Sequence, residues 1–126
     1  MKHIRAKAIA LSFCLGLAFS LGCNRDVPPP TPLTLEELPG AMEKAFSSAK
    51  APAKELATQV IASVKAQDYA KAFSTIQTLA GSPELNKDQA NLTARAALTI
   101  TALVQSAEAK GDTKAAQTMK RYMETK

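Results

Sequence analysis

The sequence predicts an all-α fold, a small bundle of about five helices in which an N-terminal helix precedes two related antiparallel hairpins. Three observations predict it. From Leu33 onward, apolar residues recur at three- and four-residue spacing, the signature of helices buried along one face. Turn residues divide that run into helix-length pieces: Pro52, then Gln67-Asp68, then Gly81 with Pro83, then Gly111-Asp112. Alanine is abundant and only 5% of residues are aromatic, so helices meet through small side chains that let their axes approach. Residues 33–126 suffice for one modest core and not for two.

The first helix opens at Thr34-Leu35-Glu36-Glu37, a capping box in which the Thr34 hydroxyl accepts the Glu37 amide and the Glu37 carboxylate reaches back. Leu33 and Leu38 are placed for the accompanying hydrophobic staple. Leu35, Leu38, Met42, Ala45, Phe46 and Ala49 form its stripe, and Pro39 is expected to kink the helix or restart it. Pro52 suits the first position of a second helix, with Leu56, Ala57, Val60, Ile61 and Val64 turned inward.

Asp68 is the expected N-cap of a third helix, which carries Tyr69, Ala72, Phe73, Ile76, Leu79 and Ala80 on one face. Gly81 is expected to stop it in the left-handed conformation, ahead of Pro83. A fourth helix starts at Asn86 or a neighbour and can reach Lys110, about 36 Å away at 1.5 Å per residue. Its central portion, Ala96 to Val104, is apolar around more than one face, which predicts the most buried helix of the set. Gly111-Asp112 turns the chain into a fifth helix with Ala115, Ala116, Met119, Tyr122 and Met123 as its stripe, and Lys120, Arg121 and Lys126 suit its negative end.

Upstream of all this, Lys2, Arg5 and Lys7 precede an uncharged stretch from Ala8 to Leu21. As a helix that stretch rises only about 21 Å, short of a bilayer's hydrocarbon core, so it reads as the apolar region of a signal peptide. Phe19-Ser20-Leu21-Gly22-Cys23 then resembles the lipobox of bacterial lipoproteins, with Ser20 and Leu21 in the reverse of the family's preferred order. The resemblance implies a diacylglycerol on Cys23, cleavage between Gly22 and Cys23, and a partner in the membrane itself. Three other readings fit the same residues: an ordinary secretory cut after Ser20 or Gly22, an uncut weak anchor, and a buried core helix. The domains expected are therefore a lipoprotein signal peptide over 1–22, a lipidated cysteine with a proline-rich tether over 23–32, and a helical domain over 33–126.

The tether contains Pro28, Pro29, Pro30 and Pro32, which fix φ and remove amide donors. It is expected to extend as polyproline, holding the domain up to roughly 28 Å from the bilayer. In lipoproteins of two-membrane bacteria, Asp directly after the cysteine favours retention in the inner membrane. Asn24 stands there instead, which implies the outer membrane.

Losing residues 1–22 changes the bulk chemistry. Lys2, Arg5 and Lys7 go with them, so the formal charge falls from +5 to about +2 and no basic patch with interleaved aromatics remains for nucleic acid. His3 and Cys14 go too, and the lipid consumes Cys23. Without imidazole or free thiol, the usual zinc sites and the Ser-His-Asp and Cys-His nucleophiles are excluded, and neither metal nor cofactor is expected. No catalytic residue stands out, and the chain is not expected to be an enzyme.

Sliding the chain by 43 residues lays the second hairpin on the first, with Val60 on Leu103, Ala72 on Ala115 and Ile76 on Met119. Gln67-Asp68-Tyr69-Ala70-Lys71-Ala72 resembles the opening of the second helix of a tetratricopeptide repeat, with Ile76, Leu79 and Pro83 near its later positions. Lys110-Gly111-Asp112-Thr113-Lys114-Ala115 is a fainter echo. The resemblance covers residues 53–83 and 96–123, lacks the family's aromatic and glycine positions in each first helix, and implies a peptide-binding groove. Any antiparallel hairpin with an Asp or Gly turn shares much of this pattern.

The expected function is that of a membrane-anchored envelope lipoprotein that works by contact with another envelope protein. Tyr69, Phe73, Ile76 and Leu79, together with Tyr122 and Met123, are the faces expected to line its groove. An alternative is a small apolar ligand or lipid held between helices, in space left adaptable by the alanines and by Met42, Met119 and Met123. Glu36, Glu37 and Glu43 form an acidic cluster whose ordinary role is to serve a helix N-terminus. Asn91-Leu92-Thr93 matches a glycosylation sequon by chance inside a helix.

Overall fold

Five α-helices make up the described part of this computed structural model, residues 28–126: α1 Glu37–Phe46, α2 Ala53–Lys65, α3 Tyr69–Ala80, α4 Lys87–Ala109 and α5 Thr113–Glu124. The expected leader, the expected cleavage site at Gly22 and Cys23, and the expected tether as far as Val27 lie outside the described residues. No strand occurs among those described.

The entry to α1 is built as its residues dictate. Thr34 Oγ1 accepts the Glu37 amide at 3.2 Å, and a Glu37 carboxylate oxygen accepts the Thr34 amide at 3.1 Å. The Thr34 amide, and after it the Thr34 hydroxyl, hold the Glu37 carboxyl below its ordinary range. Leu33 and Leu38 are both buried, as a staple requires. Pro39 is the third residue of an uninterrupted α1 and neither breaks nor restarts it. Only one turn lies upstream, so its missing amide interrupts no established ladder.

Helix α2 begins one residue after Pro52, whose carbonyl accepts the Leu56 amide at 3.0 Å. Ala53, Ala57, Val60 and Val64 face the core, while Leu56 and Ile61 sit at its edge.

The turns that close the two hairpins are built alike, bond for bond. Gln67 and Gly111 adopt left-handed backbone, with φ of 57° and 92°. In the first turn Ser63 O accepts the Asp68 amide at 2.9 Å and Val64 O accepts the Gln67 amide at 3.0 Å; in the second, Ala107 O accepts Asp112 and Glu108 O accepts Gly111, both at 3.0 Å. These are paired Schellman endings. Each is followed by a capping aspartate: Asp68 Oδ1 accepts the Lys71 amide at 3.2 Å, and Asp112 Oδ1 accepts the Lys114 and Ala115 amides at 3.0 and 3.1 Å. The turns thus repeat one residue later than the register of 43, while the buried pair Ala72 and Ala115 keeps that register. One residue is about 100° of helix rotation, so α5 is rolled relative to α3.

Helix α3 ends differently from expectation. Gly81 is right-handed, at φ −81°, because its amide reaches Gln77 O at 3.3 Å and the next amide, Ser82, reaches Leu79 O at 3.0 Å. Pro83 then has no amide with which to continue. Ala80, expected on the inner face, is exposed, being one step of rotation beyond Leu79.

The most buried helix is α3 and not α4: six residues of α3's twelve are buried, against six of α4's twenty-three. Helix α3 packs against α2, α4 and α5, and α4 against α1, α3 and α5, but the longer α4 keeps one side to solvent, leaving Leu98 44% exposed. The apolar centre of α4 is therefore divided, with Ala96, Ile100 and Val104 inward and Leu98 and Ala102 outward.

Helix α4 opens with a second capping box, in which Asn86 Oδ1 accepts the Gln89 amide at 2.8 Å and Gln89 Oε1 accepts the Asn86 amide at 3.1 Å. Gln89 Nε2 also donates to Ala45 O at 3.2 Å, fastening the start of α4 to the end of α1. Farther along, the Thr99 hydroxyl donates to Leu33 O at 2.6 Å and Arg95 Nε donates to Thr31 O at 2.9 Å. The last residues of the proline-rich segment are thereby held against α4.

Candidate functional site

The core takes half of the face expected to line a groove. Phe73, Ile76 and Leu79 are at most 2% exposed, because α3 is enclosed by three neighbours. Ile76 and Leu79 only support a surface, and Phe73 reaches one only as the floor of a groove. Tyr69 and Tyr122 are half-buried, and Met123 is 68% exposed.

What the packing leaves is a shallow groove of about 210 Å³ between α3 and α5, lined by Phe73, Ser74, Gln77, Thr118, Arg121 and Tyr122. Its floor is aromatic. The Tyr122 ring stands edge-on to Phe73, centroids 5.1 Å apart at 90°, an arrangement that suits the ring quadrupoles. Lys126 Nζ lies 4.7 Å from the centre of the Tyr122 ring, close enough for a cation–π contact. One end of the groove therefore offers two cations beside an aromatic plane, and its walls offer the amide of Gln77 and the hydroxyls of Ser74 and Thr118. The sequence put both rings on the expected groove, but their direct edge-on contact is visible only once α3 and α5 are known to lie side by side.

A second depression, about 290 Å³, lies between α1 and α2 over Met42, Phe46, Ala57 and Ile61. Its rim is polar, with Glu43, Ser47, Lys54 and Thr58. The three methionines do not gather around it or around any other space. Met42 is fully buried under α1, while Met119 is half-buried and Met123 exposed on α5.

The two carboxylates with shifted ionisation, Glu37 and Asp68, serve structure. Glu37 is engaged by the first capping box, which leaves no cluster with Glu36 and Glu43 free to act in concert. Asp68 is held below the ordinary carboxylate range, first by the Lys114 ammonium that donates to it and then by the Lys71 amide. Both carboxylates stay ionised at neutral pH, unsuited to giving up a proton there. Among the described residues, no group of three or more His, Cys, Asp or Glu side chains is gathered as a metal requires. No described helix is long and apolar enough to cross a membrane.

No family model, curated protein or solved structure matches this chain.

Proposed function

We propose that this chain is a lipid-anchored protein of the bacterial envelope whose helical domain binds a protein partner without catalysing a reaction. The observation that carries the binding half is the α3–α5 groove, where Tyr122 lies on Phe73 beside Arg121 and Lys126. An aromatic plane flanked by cations and hydrogen-bonding walls fits a partner segment that brings an apolar side chain and a carboxylate. The anchoring half is carried by the leader and the lipobox-like Ser20-Leu21-Gly22-Cys23. Two acyl chains give attachment that a single chain would not. Confinement to a membrane then raises the effective concentration for neighbours there, so a shallow groove of modest affinity suffices.

A photo-crosslinking side chain at Met123 in living envelopes tests the groove. It should capture one protein reproducibly, and Tyr122→Ala should abolish that capture, whereas the same crosslinker at Gln59, exposed on α2, should not capture it. Capture unchanged by Tyr122→Ala would remove the groove from the account. The α1–α2 depression favours a second reading, a small apolar ligand, which requires a stoichiometric lipid in an organic extract of the purified protein.

A further inference from the structure

Helix α4 carries an outward face that the bundle does not use. Lys87, Asn91, Ala94, Leu98, Ala102 and Gln105 are all exposed and fall along one line of the helix, within about 40° of Leu98 at 100° per residue. In a chain of which 21% is charged, this face is free of charge from Asn91 to Gln105. The one charged residue inside that span, Arg95, is turned aside to the Thr31 carbonyl at 2.9 Å. Charge returns only toward the ends, as Lys87 on the face, Asp88 and Glu108 about 80° to either side of it, and Lys110 farther round. None of these four makes an ion pair among the described residues, where the one ion pair is Lys114 with Asp68.

The order of those charges selects the occupant. We infer that the outward face of α4 packs antiparallel against the same face of a second copy of this chain, centred on Leu98. In that arrangement Lys87, on the face, comes beside the partner's Glu108 on the same flank, while Asp88 stays on the other flank. Because the contact is isologous, the Lys87–Glu108 pair is made twice. Ala94 lies opposite the partner's Ala102, and small residues there let the two axes approach until Leu98 meets its counterpart. A parallel pairing would set Lys87 on Lys87 and Glu108 on Glu108, and its aligned helix dipoles would repel. Antiparallel packing removes both conflicts.

The position of the proline-rich segment agrees with this geometry. Arg95 and Thr99, which hold Thr31 and Leu33, lie about 60° and 100° from Leu98 on the same side, so the segment flanks the face without covering it. A two-fold axis perpendicular to both helices and lying in the plane of contact keeps that flank on the same side in both copies. Both tethers then leave toward one surface. On the lipid-anchor reading, on which this last point rests, the two copies can share one membrane. The contact is about 30 Å long and one helix wide, on the order of 300 Å² per copy, well under the roughly 800 Å² per partner of a standard interface. The dimer is accordingly weak in dilute solution and is formed where the chain is concentrated.

The test uses the full chain in the membranes of expressing cells, treated with a short bis-maleimide. Leu98→Cys should give a crosslinked species of twice the monomer mass in several-fold higher yield than either the parent chain or Gln59→Cys, whose new thiol is exposed on α2. Lys87→Glu in the Leu98→Cys background should cut that yield several-fold, and adding Glu108→Lys should restore it. A Leu98→Cys yield no higher than that of Gln59→Cys overturns the inference, as does failure of the double charge reversal to restore a yield that the single reversal lowered. Intact mass of the same samples reads the anchor separately. Crosslinking through Leu98 in an unacylated chain would sink the lipoprotein reading and keep the dimer, whereas acylation without crosslinking would do the opposite.

Discussion

Lys114 donates its ammonium to the Asp68 carboxylate at 2.8 Å, joining the start of α5 to the residue that caps α3. It fastens two turns of like construction at one end of the bundle, where α3 and α5 lie side by side. Farther along the same two helices Tyr122 meets Phe73 in the groove.

Replacing Asp68 separates its two duties. Asp68→Asn keeps an acceptor for the Lys71 amide and loses only a solvent-exposed ion pair, which should cost at most about 1 kcal/mol. Asp68→Ala loses the cap as well and should cost about 1 kcal/mol more. Because folding lowers the Asp68 pKa, the ion pair's contribution is present above the unfolded-state value and is lost as the pH falls through the folded one. Thermal melts of wild type and Asp68→Asn should therefore differ at pH 7, begin to draw together only below about pH 4, and meet below the folded-state value.

The two left-handed residues should respond with opposite signs. Gln67→Gly relieves a side chain held at φ 57° and should stabilise by about 0.5–1 kcal/mol. Gly111→Ala puts a Cβ on φ 92° and should destabilise by about 1 kcal/mol or more, although no atom lies in its way. Urea denaturation of the two variants checks both.

Burial separates the supporting residues of the groove from the accessible ones. Ile76→Ala opens a cavity at a fully buried site and should cost about 2–5 kcal/mol, whereas Met123→Ala, 68% exposed, should stay within about 0.5 kcal/mol. With the photo-crosslinking side chain moved to Thr125, exposed at the same groove, a loss of partner capture in Met123→Ala is then a binding effect, read alongside the melt.

Thr99→Val keeps the shape of a buried side chain and removes the hydroxyl that donates to Leu33 O. Leaving that carbonyl without its partner should cost about 1–3 kcal/mol. Amide exchange at the entry to α1 should quicken more than it does within α3.

Much of this fold was legible because local rules governed it. Thr34 with Glu37, Asp68 and Asn86 mark helix starts through hydrogen bonds that span only three residues. What sequence missed depended on packing. Ala96 to Val104 reads as a buried run, but which of its sides meets α3 is decided by the whole bundle, and Leu98 falls outside. Gly81 carries the residue type of a left-handed stop, yet the Ser82 amide finds Leu79 O in a right-handed turn and the stop is not needed. Phe73, Ile76 and Leu79 share a face with Tyr69 in the sequence pattern, and enclosure by α2, α4 and α5 turned that face from surface to core.

The account rests on the fate of Cys23, and intact mass of the protein extracted from cell membranes reads it directly. The expected product lacks residues 1–22 and carries the added mass of acyl chains on a chain that begins at Cys23. A chain that retains Met1 and an unmodified Cys23 would contradict it.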